Sequence, residues 1–351
     1  MITIGVDFHK RTSSYCVLDE NGKRVKRCKF ENRPELIEDF LQSLPGPKQL
    51  AMEATRNWGL FYEVVKPHVD EFLLGHPKKM KAITESETKH DQKDAEVIGR
   101  LAASGFFPQA HASPSSTREL RSVLRFRHFL VKERVAIRNQ TQILLDRNLW
   151  PCQRPTAFKN IFCKRGLLWL ESVSLPERER FILNQLIIHF HELNEKIEEL
   201  ESFVHQQAGH LPGIEHLRTI PGLKNSKVHL FVILLEIDDI KRFRKARHLA
   251  HYAGLIPSEH SSGDKHRTGR LVKGANVFLR TALLESVFGI LHGDPEMKRY
   301  YQSVKLRRGS GAAIIACTRK LSYAVYHVLK DQVPYQFHPP VTASGPYAVS
   351  H

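Results

Sequence analysis

Four acidic residues stand at positions where carboxylates could do chemistry together. Asp7 lies near the end of the apolar segment ITIGVDF, and Glu53 ends a second apolar segment, QLAME. Asp91 and Asp94 lie three residues apart in KHDQKDA, just before the apolar run EVIGRLAA. A carboxylate beside a buried strand is costly unless it is paired or bound to a cation. Because oxygen-only ligand sets suit Mg²⁺ or Mn²⁺, the four acids predict a hard-cation site.

The acids can meet only if particular strands are neighbours. The first 31 residues predict three antiparallel strands, with a hairpin at Asn21-Gly22, and the order continues as βββαβαβα. This order is expected of a ribonuclease H-like α/β fold, in which the first and fourth strands are adjacent. Asp7 would then meet Glu53, and one helix face would bring Asp91 and Asp94 across them. Singly, each acid would more often be a surface or helix-capping residue; together, they favour the metal site.

Composition narrows the class of protein. The 351 residues carry 53 Lys+Arg against 37 Asp+Glu, a net charge of +16, which favours a polyanionic partner, nucleic acid before anionic membrane. No apolar run approaches the length of a membrane span, and the N-terminus lacks the pattern of a signal peptide. The five cysteines are scattered without a C-x-x-C pair, which predicts reduced thiols and argues against a zinc site. A cytoplasmic, nucleoid-associated protein is expected.

The chain beyond residue 113 is predicted to be mostly helical. A long helix over 116–147 holds eight Lys/Arg against three acids, and five of its arginines are candidate nucleic-acid contacts: Arg118, Arg121, Arg125, Arg127 and Arg134. Apolar residues at steps of three and four over 183–204 are typical of a coiled-coil seam, although a helix packed within its own chain fits equally. The segment over 216–237 is predicted to form a helix, a Pro-Gly turn and a second helix. The segment over 243–291 is predicted to form a helix, a Gly- and Ser-rich loop and a second helix.

Several motifs resemble those of the DEDD-type insertion-sequence transposases, the IS110 family, which includes the Piv-like DNA invertases. These are G-V-D-x-H-K at the start, M-E-A-T after the fourth strand, and K-x-D-x-x-D-A. The segment AGLIPSEHSSGDKHRTGRLVKGANVFLR is similar to the motif of the family's second domain. The resemblance covers residues 2–300. It implies a RuvC-like N-terminal domain and a recombinase that moves its own element through a circular intermediate, in some members guided by a structured bridge RNA.

The resemblance also implies a nucleophile, Ser262, because the family's serine directly precedes the motif glycine. A serine hydroxyl can attack a phosphodiester and hold the DNA as a phosphoserine. Ser258 and Ser261 are chemically equivalent neighbours. This chain departs from the family at Asp264, where many relatives have a small residue, and at 271–276, LVKGAN in place of S-K-R-G-N. Basic residues of the motif are candidate phosphate contacts: Lys265, Arg267, Arg270, Lys273 and Arg280.

The expected organisation has five parts. They are a RuvC-like DEDD catalytic domain (1–112), a basic helical extension (113–150), a connector with a coiled-coil helix (151–208), a C-terminal transposase domain with the serine motif (209–300), and a helical end with a loosely ordered tail (301–351). The expected partners are element-end and target DNA and a structured guide RNA. The seam, and the need for several active sites in strand exchange, favour a homodimer or homotetramer.

Three other functions compete with the recombinase. A RuvC-like metal-dependent nuclease, such as a Holliday-junction resolvase, would cleave DNA without a covalent intermediate. A sugar kinase or actin-like ATPase also opens with a G-x-D strand and hairpin, but it needs a D-x-G-x-T loop, which the sequence lacks. A non-catalytic nucleic-acid-binding protein would gain nothing from four clustered acids. The recombinase accounts for the acids and the serine motif together.

Overall fold

The computed structural model describes residues 1–84, 91–148, 160–226, 228–262, 265–271 and 275–336. They form two compact units, Met1–Ser115 and Ser116–His351, which are considered separately below. Among the described residues, no helix is both long enough and apolar enough to cross a bilayer.

The first unit is a five-stranded mixed sheet with helices. Its elements are β1 (Ile2–Phe8), β2 (Thr12–Leu18), β3 (Arg24–Glu31), α1 (Pro34–Gln42), β4 (Lys48–Glu53), α2 (Trp58–Val65), β5 (Glu71–Gly75), α3 (Pro77–Thr84) and α4 (Asp91–Ala103). The strand order is β3-β2-β1-β4-β5; β1, β2 and β3 pair antiparallel, whereas β4 is parallel to β1 and β5. The predicted order of elements through β5 and the pairing of the first and fourth strands are confirmed. Two helices, α3 and α4, follow β5, where the predicted order has one.

The hairpin between β2 and β3 forms where Asn21-Gly22 predicts it. Gly22 adopts a left-handed φ of 75°, which a residue without Cβ reaches at little cost. The Asp19 carboxylate accepts hydrogen bonds from the backbone N–H groups of Asn21 and Lys23 at 2.9 and 2.8 Å. This turn fixes the register of β2 against β3.

Strand β1 has two different faces. Ile4 and Val6 are fully buried in the main core of the unit. Gly5 and Asp7 alternate with them on the opposite face, across which α4 packs. A Cβ placed on Gly5 would lie 2.0 Å from the Ala95 carbonyl oxygen and 2.4 Å from the Gly99 nitrogen. The helix therefore crosses the strand at main-chain contact.

The second unit is mostly helical. Its elements are α5 (Ser115–Asn148), α6 (Lys164–Ser172), α7 (Glu177–Ala208), α8 (Ile214–Arg218), α9 (His229–Ile237), α10 (Ala246–Tyr252), β6 (Pro257–Ser262), β7 (Lys265–Leu271), α11 (Val277–Gly293) and α12 (Pro295–Asp331). The predicted helix, Pro-Gly turn and helix over 216–237 are confirmed as α8 and α9. Part of the predicted connector is helical, as α6. The tail from residue 337 lies outside the described residues.

The heptad seam on α7 packs within its own chain. Leu193 and Ile197 lie in one apolar cluster with Leu130 of α5, and Leu183 lies in another with Leu144 and Leu145. The contacts pair rising numbers on α5 with falling numbers on α7, so the two helices are antiparallel. The intramolecular interpretation therefore accounts for the seam. The seam therefore gives no support for a dimer.

The Gly- and Ser-rich segment after α10 was predicted to be a loop, and this was wrong. It forms an antiparallel ladder in which Ser262 pairs with Lys265, Ser261 with His266, and Glu259 with Thr268. The segment lacks the apolar alternation by which strands are recognised in sequence. Main-chain pairing between β6 and β7 defines these strands, and that pairing leaves no periodic signal in side-chain polarity.

Candidate active site

Three of the predicted metal-binding acids lie together in the first unit. The parallel register pairs Val6 with Met52, so Asp7 and Glu53 are the next residues along neighbouring strands. Asp94 lies on α4, which packs across both strands. Burial raises the pKa of Glu53, and the nearby carboxylates of Asp7 and Asp94 raise it further. Asp7, Glu53 and Asp94 thus form a small acidic cluster, in which Glu53 is partly buried.

The fourth predicted acid, Asp91, begins α4, but its side chain lies outside the described part of the chain. Among the side chains that are described, no group of three His, Cys, Asp or Glu residues is arranged so that it could hold a metal ion. The acids that do meet are all oxygen donors, the ligand type that Mg²⁺ and Mn²⁺ favour. The described part of the cluster is thus an incomplete candidate for such a site.

A histidine adjoins the cluster. The Nε2 atom of His9 lies 2.9 Å from Oδ2 of Asp7, and about half of the His9 side chain is exposed. An imidazole at this distance can orient the carboxylate and, when protonated, offset part of its charge. Sequence reasoning missed this role, although His9 is the histidine of the G-V-D-x-H-K motif.

Replacing Glu53 by Gln is expected to raise the melting temperature of the metal-free protein at pH 7, by roughly 2–4 °C. The raised pKa means that the folded protein keeps the Glu53 proton to a higher pH than the unfolded chain does. The free energy of unfolding therefore falls as pH rises, and this loss is complete above the folded-state pKa. Glutamine cannot ionise, so the variant escapes the loss. Calorimetry in EDTA at pH 5 and pH 7 measures the difference in melting temperature between the variant and the wild type.

The exposed Glu20→Gln variant is the matched control for removal of one negative charge from the first unit. Its melting temperature should stay near that of the wild type at both pH values. Added Mg²⁺ should stabilise the wild type more than Glu53→Gln, because the variant lacks one anionic ligand. Equal stabilisation of the two proteins by Mg²⁺ would remove Glu53 from the ligand set.

A second acid on α4, Glu96, ties the helix to the sheet. Its carboxylate binds Arg100 at 2.8 Å and, across the sheet, Arg24 at 2.7 Å and Arg27 at 2.5 Å. Hydrogen bonding by Arg100, and then by Arg24 and Arg27, lowers the pKa of Glu96 to about 2. Sequence reasoning missed this cluster, which holds the helix that carries Asp94 against β3.

The serine motif occupies the β6–β7 hairpin. Ser262 ends β6 and pairs in register with Lys265, the first residue of β7. Gly263 and Asp264 lie outside the described residues, as does Lys273. The main chain also places other predicted residues on the two strands, although their side chains are not described: Ser258, Ser261, Lys265, Arg267 and Arg270.

A buried polar network anchors the end of this hairpin segment. The amide nitrogen of Asn276 donates to Glu236 at 2.8 Å and to the Tyr252 hydroxyl at 3.0 Å, and its side-chain oxygen caps α11 by accepting from the Leu279 N–H. Glu236 is 2% exposed and accepts two hydrogen bonds from Arg125. Tyr252 ends α10, before β6, and Asn276 precedes α11, after β7. The network therefore fixes the chain on both sides of the hairpin.

Glu236→Gln is expected to lower the free energy of unfolding by about 2 kcal/mol, the usual value of a buried hydrogen bond to a charged group. The variant removes the negative charge that faces Arg121 and Arg125. The glutamine amide N–H group would also point at guanidinium groups, which are themselves hydrogen-bond donors and cannot accept. Urea denaturation measures the loss. Glu215→Gln is the control: it breaks an ion pair with Arg218 in which Glu215 is 79% exposed, so the expected loss is below about 1 kcal/mol. Equal losses would mean that the Glu236 network adds no stability.

Most arginines predicted to grip nucleic acid on α5 already have partners within the second unit. Arg121 is largely buried and donates to the Leu235 carbonyl at 2.7 Å, Arg127 pairs with Glu201 at 2.6 Å, and Arg134 donates to Asn194 at 2.7 Å. Arg125 is about half exposed but pairs with Glu236. Phosphate contacts by these residues stay a prediction, and each residue already makes an internal contact.

Comparison with known protein families decides which family shares these features. Residues 4–149 match the model of the DEDD transposase of IS110, and residues 214–302 match that of the IS116/IS110/IS902 transposase family. The chain belongs to the IS110 family of transposases. The first match contains all four predicted acids, and the second contains the serine hairpin with Glu236, Tyr252 and Asn276 of its anchoring network. As a family member, the chain is a DNA recombinase enzyme.

Relatives resemble this IS110-family transposase over nearly their whole length. The transposase of insertion sequence element IS1111A from Coxiella burnetii is 24% identical over 95% of this chain and 91% of its own length. The pilin gene-inverting protein of Moraxella bovis is 23% identical over 95% of this chain and 97% of its own length. The IS1328 transposase of Yersinia enterocolitica is 26% identical over 80% of this chain and 81% of its own length. Both units of the chain therefore have counterparts in single proteins.

Proposed function

We propose that this transposase cuts and rejoins DNA with a Mg²⁺-dependent acid cluster in a ribonuclease H-like (RuvC-like) first unit and a serine nucleophile in the second. The observation that carries the proposal is the convergence of Asp7, Glu53 and Asp94 from two adjacent strands and the helix packed across them. A mixed sheet in the order β3-β2-β1-β4-β5, with acids at the ends of β1 and β4, is the arrangement expected of such a nuclease domain.

Asp7, Glu53 and Asp94, with Asp91, would hold the metal. A bound Mg²⁺ or Mn²⁺ supplies positive charge against the attacking and leaving oxygens of a phosphodiester. The residues suit this role because carboxylate oxygens are the ligands that Mg²⁺ and Mn²⁺ favour. Burial, and then the nearby carboxylates of Asp7 and Asp94, raise the pKa of Glu53, and a bound cation would favour its charged form. His9 would orient Asp7, and Glu96 would hold α4 in place, without either contacting the substrate.

Ser262 would carry the covalent step. Its Oγ loses its proton and forms a bond to phosphorus, while the P–O bond to the adjoining nucleotide breaks. The leaving oxygen takes up a proton and becomes a DNA hydroxyl, so that atoms and charge are conserved. Attack by a hydroxyl of the partner strand on the phosphoserine reverses the step and frees the serine. Rejoining therefore needs no external energy source, because the phosphodiester energy is kept in the protein–DNA bond.

The proposed partners are element-end DNA, target DNA and a structured guide RNA, with action at the nucleoid. The net charge of +16 suits both kinds of nucleic acid. Exchange of strands between two duplexes requires several nucleophiles, which favours a dimer or tetramer. The α7 seam does not contribute to this argument, because its residues are buried against α5.

The test is an adduct assay. Purified protein is incubated with end-labelled element DNA, Mg²⁺ and RNA transcribed from the flanking sequence, and the products are resolved under denaturing conditions. A labelled band that protease removes, and that fails to form in EDTA or with Asp7→Ala or Asp94→Ala, supports the proposal. Cleaved DNA with free ends and no adduct would instead identify a RuvC-like nuclease, which the acid cluster alone could support.

A further inference from the structure

The last long helix, α12, is interrupted at one residue. Gly309 has φ 82° and ψ 169°, outside the helical region, so the helix divides into Pro295–Arg308 and Ser310–Asp331. A positive φ is readily available to glycine and costly for other residues. A Cβ on Gly309 would meet no atom within 4 Å, so the glycine serves the backbone angle and not close packing. The break is a built-in corner of the fold.

The corner lies in the middle of a strongly basic segment. Residues 297–320 contain seven Lys/Arg and no Asp or Glu: Lys298, Arg299, Lys305, Arg307, Arg308, Arg319 and Lys320. By contrast, the α5 stretch 116–147 has three acids among its eight basic residues. Arg299 pairs with Glu296, just before this segment, at 3.6 Å. The remaining excess of positive charge disfavours the folded state by self-repulsion, which a bound polyanion would relieve.

Three of these arginines border a groove of about 430 Å³. The buried Leu255 and Val304 line it, as does Pro257, the first residue of β6. Arg307 and Arg308 are exposed, and Arg319 is half-buried. Within the described residues, no carboxylate lies at ion-pair distance from any of the three; Arg307 donates only to Ser303 of its own helix.

The groove arginines differ from three of the α5 arginines in their internal contacts. Arg121, Arg127 and Arg134 have their guanidinium groups engaged inside the unit, whereas the groove arginines keep theirs available. Guanidinium groups are good phosphate ligands because their planar fork of donors matches the phosphate oxygens. The groove therefore offers guanidinium groups without an internal ion pair among the described residues, whereas Arg121, Arg127 and Arg134 on α5 each make an internal contact.

We propose that this groove, rimmed by Arg307, Arg308 and Arg319, binds the phosphate backbone of the DNA strand that Ser262 attacks. The assignment to DNA rests on the proposed function and on continuity: Pro257 lines the groove and begins the strand that ends at Ser262. Five residues of strand span about 17 Å, the length of about five base pairs. The groove would thus hold the backbone a few nucleotides from the bond that is cut.

The test measures equilibrium binding of fluorescent element-end DNA in EDTA, where no cleavage occurs. Binding is therefore scored independently of the adduct assay, and either result can fail alone. The variant Arg307→Gln/Arg308→Gln/Arg319→Gln should bind DNA roughly 10- to 100-fold more weakly near 0.1 M salt. The slope of log affinity against log salt should fall by about 2 to 3, one for each lost phosphate contact.

The control Lys164→Gln/Arg165→Gln/Arg178→Gln removes the same charge from exposed positions at the starts of α6 and α7. Its affinity should change by less than about threefold, because distant charges are screened. Equal losses in the two triple variants would overturn the proposal, as would unchanged DNA binding by the groove variant. Weaker binding of guide RNA with unchanged DNA binding would also overturn it. Arg308→Gln alone, at an exposed position, repeats the test if the triple variant melts early.

Discussion

Ser262→Ala is expected to abolish the covalent protein–DNA adduct, with a loss of at least about 10³-fold in adduct yield. The reason is chemical: the alanine has no oxygen to bond to phosphorus, and loss of a nucleophile cannot be offset by substrate binding. Ser262 ends β6 opposite Lys265, so the substitution removes one hydroxyl and leaves the main-chain ladder in place. Affinity for DNA should therefore stay within about twofold of the wild type. The adduct assay and the binding assay report the two quantities separately.

Ser258→Ala and Ser261→Ala are the matched controls, because both serines lie on the same strand. Each should retain adduct formation within about tenfold of the wild type. If Ser261→Ala loses the adduct and Ser262→Ala keeps it, the nucleophile is misassigned by one residue. If all three variants keep the adduct, none of these three serines is by itself the required nucleophile.

Gly5→Ala is expected to disable the acid cluster through the backbone. The new methyl group would lie 2.0 Å from the Ala95 carbonyl oxygen, a distance that no rotamer can relieve, so α4 must move away from β1. Overpacking of this kind costs about 1–3 kcal/mol. A displacement of about 1 Å in the helix that carries Asp94 would lower strand cleavage by about 10²-fold. Urea denaturation and the adduct assay measure the two effects.

Gly99→Ala is the control on the other side of the same contact. Its Cβ would lie 3.3 Å from the Gly5 nitrogen and 3.3 Å from a Leu18 methyl group, which a shift of a few tenths of an ångström can accommodate. It should lose less stability and less activity than Gly5→Ala. If both variants cleave DNA like the wild type, the close approach of helix and strand does not set the position of Asp94.

The features that the sequence predicts well are those with a strong local signal. Asp7 and Glu53 stand out because they follow apolar strands, and the Asn21-Gly22 turn and the strand order place them on neighbouring strands. The ion pairs of Glu96 left no such signal, since Arg24 and Arg27 lie about seventy residues away along the chain. Glu236 was hidden for a different reason: it lies in the apolar run LFVILLEI, where a buried charge is visible only with its partners.

The main-chain contact between Gly5 and the α4 backbone also bears on how the family can vary. Where side chains separate two elements, each change in a side chain alters the spacing between them. Here the separation between the strand of Asp7 and the helix of Asp94 is set by peptide atoms. Much of the surrounding core could therefore be exchanged, as 23–24% identity to relatives requires, while the distance between the acids stays the same. Substitutions elsewhere in the first unit should therefore have little effect on the spacing of the acidic cluster.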